Sequence, residues 1–251
     1  MNASSEPRRA DQIDHAGKRF SICTLVTDHA EYAEMVGSFR AGGFDGPDCE
    51  YLYLDNSEGN AFDAFRGGNI FLREAAGDFI ILCHQDVLLL NDGREALEAR
   101  LGELDALDPD WALCGNGGGT ESGDLVIRIT DPHGTDRALG TFPARATALD
   151  ENFIVVRRDA NLPLSHDLSG FHLYGADLCI LADVLGRSAW VIDFHLRHKS
   201  AGRYEPAFFA AVDAVKDKYR RAFRSRPITT TCTRFVLRGP TLQHLLGFFR
   251  R

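Results

Sequence analysis

Three short apolar runs, each closed by a polar tip and followed by a stretch with helical spacing, set the narrowest limit on what this chain can fold into. They lie at residues 20–26, 50–54 and 78–83. Runs of this length that are apolar at nearly every position read as strands buried on both faces. After the first run, Asp28-His29-Ala30-Glu31 has the form of a capping box, opening a helix that runs to about Arg40 and stops at Gly42-Gly43. A second helix is predicted over residues 61–76. A third, capped by Asn91-Asp92, carries Leu97, Leu101 and Leu104 at helical spacing. Alternation of this kind implies right-handed crossovers and an α/β fold with a mostly parallel central sheet flanked by helices.

Beyond residue 110 the pattern loosens. Short strands are predicted at residues 111–114, 124–130, 153–156 and 190–194, and a helix at 177–185. Gly115-Asn116-Gly117-Gly118-Gly119 reads as a flexible turn, and residues 131–148, rich in Pro, Gly and Thr, as a long loop. Residues 1–18 are polar, lack the apolar core of a signal peptide, and read as a disordered lead-in. Residues 19–204 form the main domain, and 205–251 a mostly helical extension packed on it.

The chain is acidic, with a formal net charge of -8, which argues against a nucleic-acid partner. A protein of this balance holds a diphosphate only with a local cation. The six cysteines are scattered with no C-x-x-C pair. They read as reduced thiols of a cytoplasmic protein, with a peripheral place at the inner face of the membrane as the variant.

Ligands of an open parallel sheet bind beyond the carboxyl ends of its strands. Three polar clusters sit at such ends: Thr27-Asp28, Asp55-Asn56-Ser57 and His84-Gln85-Asp86. Together they outline a ligand crevice. Asp86 stands between two apolar runs, so its carboxylate needs a hydrogen bond, a counter-charge or a cation. Oxygen donors suit Mg²⁺ or Mn²⁺. Asp193 and His195 fall on one face of the predicted last strand. His198 lies just beyond it, within reach of the crevice, and Arg197 and Lys199 offer charge for a leaving diphosphate. Asp177 opens the predicted late helix, either as a plain cap or as a proton acceptor for a hydroxyl.

These clusters resemble the family 2-like glycosyltransferases of GT-A fold, in the bacterial branch with a His-Gln-Asp-Val motif. The matching residues are Asp55-Asn56-Ser57, Asn69, Cys83-His84-Gln85-Asp86-Val87, Leu149-Asp150-Glu151-Asn152-Phe153 with Arg157-Arg158, the segment from Gly170 through Tyr174 and Asp177 to Cys179, and His198-Lys199-Ser200. The resemblance implies transfer of a sugar from a UDP-type nucleoside-diphosphate donor to an acceptor hydroxyl, metal-assisted and inverting. It implies nucleotide-sugar contacts at Thr27, Asp55, Asn56, Ser57, Asn69, Gln85 and Lys199. It also implies a Mn²⁺ or Mg²⁺ ion on Asp86 and His198, with Asp177 as base. His84 stands where the family has the first Asp of its Asp-x-Asp element. The usual Glu-Asp before the catalytic helix is reduced to Ala176-Asp177. These departures support an alternative, a non-catalytic nucleotide- or sugar-binding module. The apolar and basic stretch 235–251 docks on a membrane, on a second copy, or on its own domain.

Overall fold

A computed structural model describes residues 17–202 and 206–239. The chain falls into two units, residues 1–203 and 204–251. The sequence readings for residues 1–16 and 240–251 lie outside the described residues.

The first unit opens as its apolar pattern dictates. Strand β1 (Phe20–Val26) is followed by α1 (His29–Ala41), β2 (Cys49–Asp55), α2 (Ala64–Glu74) and β3 (Phe79–Cys83). Asp28 caps α1, accepting from the backbone N–H groups of Ala30 and Glu31, and Asp63 caps α2 in the same way. A short β4 (Val87–Leu89) precedes α3 (Arg94–Leu107), whose Leu97, Leu101 and Leu104 are buried. The cap of α3 is Gly93, with no side-chain bond, rather than the expected Asn91-Asp92. Asp92 is instead drawn to the backbone N–H of His195 at 2.7 Å.

The chain continues through β5 (Trp111–Gly115), β6 (Gly117–Gly119), β7 (Leu125–Asp131), β8 (Gly134–Leu139), β9 (Ala144–Ala146), β10 (Ala148–Leu149), β11 (Phe153–Arg157), α4 (Tyr174–Val184), β12 (Ser188–Val191) and β13 (Leu196–His198). The glycine run is therefore a strand, and the stretch predicted as a long loop holds β8, β9 and β10. Cross-strand partners override the local turn composition. A Cβ on Gly118 would lie 2.4 Å from the Ala148 carbonyl oxygen, so the run is glycine because the strands close on it.

The larger sheet has the order β2-β1-β3-β11-β5-β12-β9. Strands β2, β1, β3, β5 and β12 run one way, and β11 and β9 run against them. The sheet is thus mostly parallel. A smaller sheet has the order β10-β6-β7-β13-β4, with β8 on β7. Phe20, Ile22 and Ile81 meet Met35 and Phe39 of α1 and the three α3 leucines in the main core, where Phe79 stacks on Trp111 at 6.0 Å. Leu25 faces the other way, onto Gly67 of α2, where a Cβ would come within 2.7 Å of it.

The second unit consists of α5 (Pro206–Ala222) and an antiparallel pair, β14 (Arg226–Thr229) and β15 (Arg234–Leu237). Its latter half is a hairpin where the sequence suggested more helix. All six cysteines are free. No helix among the described residues is long and apolar enough to cross a membrane.

Candidate metal centre and active site

The order β2-β1-β3 places a switch point between β1 and β3, where a crevice opens beyond the strand ends. Gln85 spans it. Its side-chain oxygen accepts from the backbone N–H groups of Thr27 and Asp28 at 2.8 and 3.0 Å, and its amide donates to the Thr27 hydroxyl at 2.8 Å. The end of β2 lies alongside, since Asn56 donates its backbone N–H to the Val26 carbonyl at 2.7 Å. Asp55 meets His29 at 3.3 Å and helps line an open cleft with Glu58, Gly59 and Ala61.

Beyond β3 the backbone turns tightly through His84, Gln85 and Asp86 into β4. His84 is anchored by its N–H to the Asn152 carbonyl at 3.0 Å. Strand β4 pairs antiparallel with β13, setting His198 opposite Val87. Lys199 donates its backbone N–H to the Asp86 carbonyl at 3.1 Å. This register brings His198 to Asp86 across 112 residues of sequence.

Three groups converge on one nitrogen. His198 Nε2 lies 3.4 Å from His84 Nδ1, 3.3 Å from an Asp86 carboxylate oxygen and 3.2 Å from the Ser200 hydroxyl. One imidazole nitrogen carries at most one proton, so it cannot hydrogen-bond well to all of them. Burial alone raises the Asp86 carboxyl, but the hydrogen bond and charge of His198 hold it well below the ordinary carboxylate range. His84 is lowered by burial and by His198. Burial pulls His198 down too, and the bond and charge of Asp86 outweigh it and raise the imidazole.

Donor atoms of His84, Asp86 and His198 all lie within 4.8 Å of one another. Adjacent ligands on an ion with bonds of about 2.1 Å at right angles stand about 3 Å apart. The trio therefore fits a divalent ion with little movement. Two imidazoles and one carboxylate stand between the oxygen-only sites of Mg²⁺ and the imidazole-rich sites of later transition ions.

The remaining predicted residues divide. Thr27, Asp55, Ser57 and Gln85 gather at the crevice, where Ser57 donates its backbone N–H to Asp55 at 2.9 Å. Asn56 is buried and its amide clamps the backbone of Phe62, fixing the loop after β2. Asn69 clamps the backbone of Leu164 in the same two-bond manner. Both amides hold loops. Lys199 is paired with Glu31 and Glu34 of α1 at 3.0 and 2.9 Å. Asp177 lies in the first turn of α4 as expected, but it is fully buried. Its two oxygens accept from the Ser165 backbone and hydroxyl at 2.7 and 2.6 Å. A carboxylate enclosed in this way ties the loop after β11 to α4 rather than facing a cleft. Asp193 and His195 fall between β12 and β13, not on a common strand. They bind Arg128 at 3.1 Å and Thr130 at 2.9 Å.

Two groups named in the sequence carry no site role there. His84 completes the donor trio, and the signal for it is its place at the first Asp of the Asp-x-Asp element, which the sequence reading takes as a departure. Tyr174 connects the trio to α4. Its hydroxyl lies 3.2 Å from His84 Nε2 and donates to the Glu151 carbonyl at 2.7 Å. The Glu151 carboxylate in turn accepts from the backbone N–H of Gly175 at 3.2 Å, at the N-terminus of α4. Burial pushes this carboxyl up to about 8, against the helix N–H bonds that lower it.

No protein-family model matches the sequence. A Fuscovulum blasticum protein described as ATP synthase subunits region ORF 6 is 36% identical over 239 residues, covering 93% of this chain and 96% of that protein. Among solved structures, the mannosyltransferase PcManGT from Pyrobaculum calidifontis, in complex with GDP-Man and Mn²⁺, is similar with a TM-score of 0.54 at 12% identity. The likeness covers 83% of this chain and 66% of that one. It shows that the fold is of GT-A type.

Proposed function

We propose that this chain, which belongs to the family of the Fuscovulum blasticum protein described as ATP synthase subunits region ORF 6, is a metal-assisted glycosyltransferase. The observation that carries this reading is the convergence of His84, Asp86 and His198 beside the switch-point crevice of a GT-A fold. PcManGT, of like fold, was solved with GDP-Man and Mn²⁺. In this chain His84, Asp86 and His198 hold the ion, and Mn²⁺ suits their imidazoles better than Mg²⁺ does. When bound, the ion supplies Lewis-acid stabilisation of charge on the leaving diphosphate.

Thr27, Gln85, Asp55 and Ser57 take the nucleotide of a UDP-type sugar. Asn56 and Asn69 shape the loops around it, and Lys199 reaches the donor by leaving Glu31 and Glu34 of α1. We place the proton acceptor for an inverting displacement at Glu151 rather than Asp177. Glu151 lies at the N-terminus of α4, which Tyr174 links to His84, whereas both Asp177 oxygens are taken by Ser165. The free cysteines suit a reducing, cytoplasmic compartment.

A panel of nucleoside-diphosphate sugars, assayed for donor hydrolysis with Mn²⁺ and with EDTA, tests the reading. Metal-dependent hydrolysis of one donor class is expected. Neither hydrolysis nor thermal stabilisation by any of them would sink it. The enclosure of Asp177 also favours the second reading, a binding module without turnover. Metal-dependent stabilisation with no hydrolysis would select that one.

A further inference from the structure

The second unit inverts the charge of the protein. The whole chain carries a net charge of -8, yet residues 206–239 hold eight lysines and arginines against only Asp213 and Asp217. From residue 218 to residue 239 there are seven cations and no acidic side chain. Asp213 and Asp217 are already engaged on α5 itself, with Lys216 at 3.8 Å and Arg220 at 3.1 Å.

The same stretch exposes apolar surface. Phe223, Phe235, Val236 and Leu237 are 45, 48, 61 and 44% exposed, and every position of β15 is open. A two-stranded ribbon is marginal in water without a surface to pack on. This ribbon buries none of its apolar side chains, and alternation sends Phe235 and Leu237 to one face and Val236 to the other.

We propose that this helix-and-hairpin unit docks on an anionic lipid bilayer. Arginines at and beside the ribbon, among them Arg224, Arg226, Arg234 and Arg238, meet lipid phosphates, and the face that carries Phe235 and Leu237 enters the boundary below the headgroups. Charge complementarity selects the anionic surface. Aliphatic Leu237, with Ile228 paired to Phe235 on the same face, selects lipid over nucleic acid, because a polynucleotide offers stacking faces and phosphates but no acyl layer. The proposal stands apart from the transferase reading and survives its failure.

Flotation of the full chain with vesicles tests it. Binding to vesicles of phosphatidylcholine with phosphatidylglycerol is expected to exceed binding to phosphatidylcholine alone by roughly tenfold or more, and to weaken as salt is raised. Reversing charge with Arg224→Glu, Arg226→Glu and Arg234→Glu together should abolish it. Phe235→Ser with Leu237→Ser should weaken it at unchanged salt dependence. Both variants should keep the parent's melting temperature and its Mn²⁺-dependent stabilisation, which separates lost docking from lost folding. Equal binding to neutral vesicles overturns the proposal. So does absence of binding. Preferential capture of a single- or double-stranded oligonucleotide, or a dimer in sedimentation that the same substitutions dissolve, also overturns it.

Discussion

At the scale of single residues, the site turns on which atoms face one another. Asp86→Ala removes the only carboxylate of the donor trio from a turn at a strand end, where no core cavity opens. Calorimetric titration of this variant should show Mn²⁺ affinity lowered by 10-fold or more, on the order of a lost ligand, with the far-UV spectrum unchanged. Unaltered affinity would remove Asp86 from the site. Glu151 gives a prediction of opposite sign to an ordinary carboxylate. Its pKa is raised to about 8 in the fold from an ordinary 4.5, so the native state binds its proton more tightly than the unfolded chain does. The stabilisation this gives is complete below about pH 4.5 and is lost as pH rises through about 8. Denaturant titrations of the metal-free protein across that window should show stability falling with pH, and Glu151→Gln should flatten the slope. Were Glu151 the proton acceptor, turnover by Glu151→Gln should also fall by about 10² to 10⁴ while donor binding holds. Full turnover in that variant would return the base to another group.

At the scale of elements, the first half of the chain was legible and the middle was not. Strands β1, β2 and β3 and the helices between them announce themselves because each is apolar at the period of its own geometry, bounded by a capping Asp or a stopping Gly. Strands β6, β8, β9 and β10 do not, because Gly, Pro and Thr specify turns locally and pairing here is imposed by neighbours distant in sequence. The same holds within the site. Asp86 was readable as a carboxylate between apolar runs. His198 is readable from its segment as a histidine past a strand end and gains a ligand role only through the resemblance, and that His84 stands beside it is not readable, because the register of β4 on β13 is not written in either segment alone. The burial of Asp177 is not legible, because nothing local reveals that Ser165 closes over it. Gly118 tests the middle of the chain. Its missing side chain lets β6 lie against the Ala148 carbonyl, a backbone atom that cannot swing aside. Gly118→Ala should cost roughly 1–3 kcal/mol of stability by forced displacement, read as a lower denaturation midpoint. Because β6 pairs with β7 and β7 with β13, the same variant should loosen Mn²⁺ binding as well. A midpoint equal to the parent's would mean that β6 does not pack as described.

At the scale of the whole molecule, the donor trio His84, Asp86 and His198 draws together parts of the chain distant in sequence. An ion that binds the native state alone stabilises it by mass action, about 2.7 kcal/mol at a hundredfold excess over its dissociation constant. Melting curves with Mn²⁺ should therefore shift upward, return to the metal-free value with EDTA, and show a smaller shift with Mg²⁺. Equal shifts for both ions would place the imidazoles outside the coordination sphere. His84 and His198 are 114 residues apart, and β4 through β12 lie on the stretch between them. An ion held by both ends of that stretch is a removable staple around nearly half the chain. A covalent closure of a loop of about this length restricts an unfolded chain by roughly 4 to 5 kcal/mol in the chain-entropy view. A coordinated ion gives part of that restriction only where it stays bound to the opened chain. Loading the ion then limits how far the middle of the protein can stray during a partial opening, so a protease should nick residues 120–150 more slowly with Mn²⁺ than with EDTA, before any sugar donor arrives.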